Sequence, residues 1–424
     1  MLTTIITFII VFGVIVFIHE FGHFYFAKRA GILVREFSIG MGPKLFNYRT
    51  AETTYTIRLL PVGGYVRMAG GEDDEDELKP GTPVSLFVGD QDKVTRINTS
   101  KKTTLFNGIP MQVTATDLEN ELWIEGYENG DESETKRYTV AHDATIIESD
   151  GTEVRIAPTD VQFQSASLGH RLMTNFAGPM NNFILAIIVY TILTFVVGGV
   201  TTNNNRIDPT STGVTVARDA GIKNGDYITA VNGKKVTTWD GLATQIQKRA
   251  NKKTTLTIKR NDATKRVTLT PKAETVEKKT VGQIGITQYH NHAIGAMLVS
   301  GFTQTWDMTK RLIGAIWSMV SGHFSLNYLG GPVAIFATTS TAASEGIAGV
   351  LNFLAFLSLN LGIVNLLPIP ALDGGKILLN VIEGIRRKPL PESVETGITL
   401  VGVVFLVILM VLVTWNDIER YFIR

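Results

Sequence analysis

The chain has 424 residues, 44% of them hydrophobic and 19% charged, with a formal net charge of +1 and a mean hydropathy of +0.14. That is too apolar for an ordinary soluble protein, long enough for more than one domain, and too near neutral to offer the basic face that nucleic acid selects. There are no cysteines, so disulfides and thiolate chemistry are excluded and any metal must be held by His, Asp or Glu.

Four segments are apolar enough to cross a bilayer, which takes roughly 20 residues each. They run from Leu2 to about Ala27, from about Leu172 to Val200, from Leu351 to Leu372 and from Gly397 to Trp415. No Lys or Arg precedes the first and no small-residue cleavage site follows it, which sets it apart from a signal peptide. Lys28, Arg29, Arg35 and Lys44 follow the first span, Arg171 precedes the second, and Lys376, Arg386, Arg387 and Lys388 separate the third from the fourth. If the spans alternate, all these groups share one face. The positive-inside rule makes that face cytoplasmic and puts both termini outside.

Between the spans, residues 31–71 hold Gly40, Gly42, Pro43, Pro61, Gly63 and Gly64 around the β-type run Thr54–Leu60, which reads as a hairpin. Glu72 to Glu77 is an acidic stretch with the character of a solvated linker. Residues 93–165 alternate polar and apolar, with turn signals at Asn129-Gly130 and Asp150-Gly151, as a small β-rich subdomain would. Residues 203–273 have the pattern of an independent α/β module. Residues 293–328 are interrupted by Asp307, Lys310 and Arg311, which favours a surface amphipathic helix over a fifth span.

The chemistry lies in the first span, at His19-Glu20-Phe21-Gly22-His23. On a helix, residues four apart share a face, so His19 and His23 can reach one metal ion with Glu20 beside it. Imidazole is a good zinc ligand, and zinc lowers the pKa of water to about 7, within reach of a carboxylate base. Two histidines and a carboxylate inside a membrane helix are costly, which marks a functional site. A hydrolytic zinc site needs a third protein ligand. Asp373 is the acidic residue of the apolar stretch Asn365–Gly375, and the alternating topology puts it in the same half of the membrane as His19. Pro368 and Pro370 must break that helix, freeing backbone groups that survive only beside protein or water. The plainer alternative is that Asp373 caps a helix at the interface.

These paired motifs resemble the site-2 protease family. The order of Phe176-Ala-Gly-Pro-Met-Asn-Asn182, one PDZ-like module and Gly330-Gly-Pro-Val333 is similar to its bacterial RseP/RasP branch, in the Gram-positive form. The resemblance covers essentially the whole chain. It implies zinc held by His19, His23 and Asp373, with Glu20 as the catalytic carboxylate. It also implies that Asn360 and Asn365 touch the substrate backbone, although either Asn could simply bond between helices. The hairpin around Gly64 and Tyr65 would dip into the membrane and add a strand to an unwound substrate. Ala217–Ile228 and Val231-Asn-Gly233 resemble a PDZ core, but the usual small-residue and proline run before it is missing. A size filter is therefore as good a role as peptide binding.

The expected protein is a polytopic α-helical membrane protein with four transmembrane helices, a membrane-associated β-hairpin, a cytosolic β-rich insertion and one extracellular PDZ-like α/β domain. Its expected divisions are 1–28 with the His-Glu motif, 29–71 re-entrant hairpin, 72–170 insertion, 171–200 second span, 201–275 PDZ-like domain, 276–345 interfacial region, 346–385 third span with the Leu-Asp-Gly motif, and 393–416 fourth span. The function implied is zinc-dependent cleavage of single-span, pre-trimmed membrane proteins of the anti-sigma-factor or signal-peptide-remnant type, within the lipid bilayer. The competing expectation is a membrane scaffold or zinc-responsive transporter, which would not need Glu20.

Overall fold

The computed structural model describes residues 1–70, 78–89, 92–100, 108–201, 203–276, 279–322, 324–388 and 390–423. The acidic linker expected at Glu72–Glu77 lies outside them. The chain divides into two compact units, residues 1–189 with 305–424, and residues 190–304.

In the first unit, helix α1 (Leu2–Arg29) buries Thr4, Thr7, Val11, Ile15, His19, Gly22, His23 and Ala27. These recur every three or four residues, so a single stripe faces the protein. Ile5, Ile6, Ile9, Ile10, Phe17 and Phe21 are exposed on the rest of the surface, as a lipid-facing side requires. Lys28 and Arg29 close its last turn, where cations suit the helix dipole.

Strands β1 (Val34–Arg49) and β2 (Thr54–Met68) follow. Each bends, so the hairpin folds back on itself. Residues 36–39 pair on one side with 54–57 and on the other with 64–67, while 44–49 pair again with 54–58. Gly40, at φ 86°, makes one bend, and a Cβ there would meet the Leu60 carbonyl at 2.6 Å. Among the described residues no strand covers the outer edge of segment 64–68.

The insertion contains β3 (Pro83–Val88), β4 (Val94–Asn98), β5 (Ile109–Asp117), β6 (Trp123–Glu128), β7 (Thr135–Ile147) and β8 (Glu153–Arg155). They form one sheet in the order β4-β3-β5-β6-β7-β8, closed by a parallel β4–β7 pairing. Leu86, Ile97, Val113 and Ile124 fill its interior, all fully buried.

Helix α2 (Leu168–Val197) runs through Pro179, where the ring removes one backbone hydrogen bond. The second unit begins inside α2. It holds the short helices α3 (Val216–Asp219) and α4 (Trp239–Gln247), and a six-stranded sheet around Ile207, Ile228, Leu242, Leu256 and Ile258.

Helix α5 (Ile294–Val320) leads back to the first unit. Its second half packs Met308, Leu312 and Ile316 on Ala186, Leu359 and Ile363. Then come α6 (Pro332–Ser344), α7 (Gly346–Asn365), α8 (Asp373–Arg386) and α9 (Glu392–Ile418). Among the described residues, four helices are long and apolar enough to cross a membrane: Leu2–Arg29, Leu168–Val197, Gly346–Asn365 and Ser393–Ile423. The chain is a polytopic membrane protein with β-rich regions.

The third span stops at Asn365, short of the expected end at Leu372. The apolar run continues through Pro368 and Pro370 as a loop, with Ala371 at φ 73°, before Asp373 opens a separate helix. Gly374 and Gly375 let that loop lie against the new helix, since a Cβ on either would come within 2.3 Å of the Leu367 or Ile369 carbonyl.

Candidate metal centre

His19 and His23 project from the buried stripe of α1, and Asp373 from the first turn of α8. His19 Nε2 lies 3.3 Å from Asp373 Oδ2, and His23 Nε2 lies 3.4 Å from it. The two Nε2 atoms are 3.4 Å apart. Three donors around one tetrahedral ion, with bonds of about 2.0–2.1 Å, stand about 3.3–3.4 Å from one another. The triangle therefore has the dimensions of a metal site. Asp373 Oδ2 is buried and has no hydrogen-bond partner, as suits an oxygen shaped for a cation. Asp373 is not the cap of its helix: Leu372 holds that position, with no side-chain capping bond. Among the described residues, His19, His23 and Asp373 form the group of His and acidic side chains placed so that they could hold a metal ion.

The outer nitrogens of both rings are held. His23 Nδ1 donates to the Thr174 carbonyl at 2.8 Å, which leaves the lone pair on Nε2, facing the centre. His19 Nδ1 meets the Asn182 side-chain amide at 3.0 Å. The atom facing it is Nδ2, while Oδ1 of the same amide is buried without a partner; exchanging the amide's two ends lets Nδ1–H donate to Oδ1 and leaves the His19 Nε2 lone pair facing the centre. Ser358 Oγ donates to the Asn182 carbonyl at 2.9 Å, anchoring this part of α2 to α7.

Glycines make the closeness possible. A Cβ on Gly22 would lie 2.4 Å from the Ala177 carbonyl oxygen, and one on Gly178 would lie 2.2 Å from His23 Nε2. The helices α1 and α2 could not approach at these points with any larger residue.

Glu20 shares a cavity of about 370 Å³ with His19, Phe12, Val16, Gly64, Ile335, Leu357, Asn360 and Asn365. The cavity is lined mostly by apolar side chains of α1, α6 and α7, with Gly63 and Gly64 of β2 closing one side. A Cβ on Gly64 would approach Val16 and Glu20 at 2.9 and 3.0 Å, so hairpin backbone lies directly against the carboxylate-bearing turn.

Of the expected substrate-contact residues, Asn360, Asn365 and Gly64 reach this cavity. Asn365 Nδ2 also stands 3.4 Å from His19 Nε2, so it borders the metal donors. Tyr65 points elsewhere. Arg58 donates to its hydroxyl oxygen at 2.7 Å and to Glu36 at 3.0 Å. Burial, then the charge of Glu36, pushes the Tyr65 phenol above its ordinary range. Its side chain belongs to the hairpin's internal polar network, and only its backbone can serve a passing strand. Sequence reading gave no role to Thr174, Gly178 or Asn182. The available signal was their spacing, which puts small and polar residues on one face of an apolar helix.

The profile described as Peptidase family M50 matches residues 7–409. A relative from Enterococcus faecalis named "Probable protease eep" is 53% identical over 421 residues, covering 99% of each chain. One from Streptococcus pneumoniae named "Putative zinc metalloprotease" is 49% identical over 428 residues, again 99% of each.

Proposed function

The chain belongs to peptidase family M50, and we propose that it cuts peptide bonds inside membrane-spanning segments of other proteins, at the centre formed by His19, His23 and Asp373. It is a zinc metallopeptidase of the site-2 type, which removes the scaffold and transporter alternatives. The observation that carries the reading is a metal-sized triangle of donors opening onto an apolar cavity among helices apolar enough to cross a membrane.

His19, His23 and Asp373 hold the ion, which when bound supplies Lewis acidity to a carbonyl and a lowered pKa to a water. Glu20 is the general base: it takes a proton from the attacking water and passes it to the departing amine. Thr174 and Asn182 keep both histidines in the metal-binding tautomer. Asn360 and Asn365 hold the substrate backbone, and the free edge at 64–68 pairs with it as an added strand. That pairing supplies the backbone hydrogen bonds a helix loses when it is unwound in lipid.

The basic loops put the centre toward the cytoplasm, with both termini and the PDZ-like residues 201–275 outside. A cavity of about 380 Å³ beside α4, lined by Thr210, Val214, Trp239 and Ile246, is where such a module would take a peptide. The missing small-residue run favours size exclusion instead. Substrates are then single-span proteins already trimmed outside, such as anti-sigma factors, or signal-peptide remnants.

The test is cleavage of a tagged single-span substrate in vesicles, with the product ends read by mass spectrometry. New ends within the apolar segment are expected. Ends confined to water-exposed loops would contradict the reading.

A further inference from the structure

The insertion grips the hairpin at two levels. At its base, Leu33 N donates to the Val161 carbonyl at 2.9 Å and Phe163 N to the Ala69 carbonyl at 2.7 Å, so the segment leaving the insertion ties both ends of the hairpin together. Further out, the β7–β8 turn brings three carboxylates against three basic residues. Arg49 pairs with Glu153 at 2.8 Å, Lys44 with Asp150 at 3.2 Å, and Arg67 with Glu148. Lys44 also donates to Thr152 Oγ1, and Thr54 Oγ1 to the Glu153 carbonyl, both at 2.5 Å.

Isolated surface ion pairs contribute little, but this set is partly shielded. The side chains of Lys44, Arg67 and Glu148 are 15%, 11% and 13% exposed, while Asp150 is more open at 44%, and the carboxylates follow one another through the β7–β8 turn into the start of β8. Together they reach segments 44–49, 54–58 and 64–68 of the hairpin. Arg67 stands three residues from Gly64, whose backbone lies against Glu20 in the same cavity.

We propose that the β-rich insertion is a brace for that edge, with Glu148, Asp150 and Glu153 as positioning residues that set how tightly a substrate strand is held. Edge strands pair only when their backbone is held extended and in register. Among the described residues, strand pairing of segment 64–68 is with β1 alone, so the insertion supplies what a further strand would otherwise give. The inference rests on the strand-addition reading above.

The test uses the full chain in vesicles and the triple variant Glu148→Gln, Asp150→Asn, Glu153→Gln. Amide exchange over 64–68 reads the brace without substrate, and kcat, KM and zinc content read its consequence. Exchange should quicken and KM rise roughly three- to tenfold, as loss of several weak pairs implies. The turnover number should stay within about twofold and zinc at one per chain. If the triple variant does not insert, the single change Lys44→Asp should raise KM, and adding Asp150→Lys should restore it. Unchanged exchange would overturn the brace. Faster exchange with unmoved KM would instead overturn the strand-addition reading. A fall in kcat together with zinc loss would show ordinary structural support and also overturn the proposal.

Discussion

His19 Nε2 and Asp373 Oδ2 stand 3.3 Å apart, joined across nearly the whole sequence by the packing of α1 and the Pro-broken loop before α8. His23 Nε2 lies almost as close to the same oxygen, at 3.4 Å, so the three donors surround one position of a size that suits a shared cation. Replacing Asp373 with Ala leaves two imidazoles and an open position. Zinc per chain in the purified Asp373→Ala protein should fall from one to a small fraction, with membrane insertion retained. Full retention by elemental analysis would remove Asp373 from the ligand set.

Asn182 meets the donor triangle through His19 Nδ1. Changing it to Leu keeps a similar branched shape but removes the partner of Nδ1, so the ring no longer favours the tautomer with its lone pair on Nε2. Losing such an outer partner costs about 10–100-fold in metal affinity. Chelator competition should show that drop for Asn182→Leu with Asp373 and both histidines intact. An unchanged affinity would mean that packing alone orients His19.

The motif at 19–23 was legible in the sequence because it is local: one turn of helix sets its geometry, and the apolar surroundings make its cost plain. Asp373 was legible for the same reason, as an acid in an apolar run. Asn182 and Thr174 were not, because their roles depend on where α2 crosses α1, which Gly22 and Gly178 decide. The hairpin was half legible. Pattern marks the run Thr54–Leu60, but the return of 64–68 to the far side of 36–39 follows from bends at glycines that periodicity does not register. The third span is shorter than its hydropathy suggests, because hydropathy cannot distinguish a helix from an apolar loop whose carbonyls pack on Gly374 and Gly375.

Within the second unit, Asp226 is fully buried and receives two hydrogen bonds from Arg260, both at 2.7 Å. Burial alone would raise its pKa, but Arg260 and the Lys223 N–H outweigh that and hold it below the usual carboxylate range. A depressed carboxylate stabilises the fold above its unfolded pKa of about 3.9 and loses that contribution as pH falls through the folded value. Asp226→Asn should therefore destabilise this unit by about 1–2 kcal/mol at pH 7, and the difference from wild type should shrink on acidification below about pH 4. The cysteine-free background allows one dye-labelled cysteine in the unit to follow its unfolding. A gap that persists undiminished at low pH would contradict the linkage.

If residues 201–275 exclude bulky substrates by size, replacing them with a short linker should let the enzyme cut single-span proteins that still carry their outer domains. Trimmed substrates should be cut at near the original rate. A shortened enzyme that is active on stubs yet still refuses full-length proteins would move the filter to another part of the chain.

Glu20 is proposed to perform the proton transfer at a zinc centre built by its neighbours. The direct measurement is zinc content and single-turnover cleavage of a transmembrane substrate by wild type and Glu20→Gln in the same vesicles. Gln matches Glu in size but cannot accept a proton, and general-base loss costs about 10²–10⁴-fold. One zinc per chain is expected in both proteins, with a cleavage rate reduced by at least about a hundredfold in the variant. Zinc retained together with undiminished cleavage would contradict it.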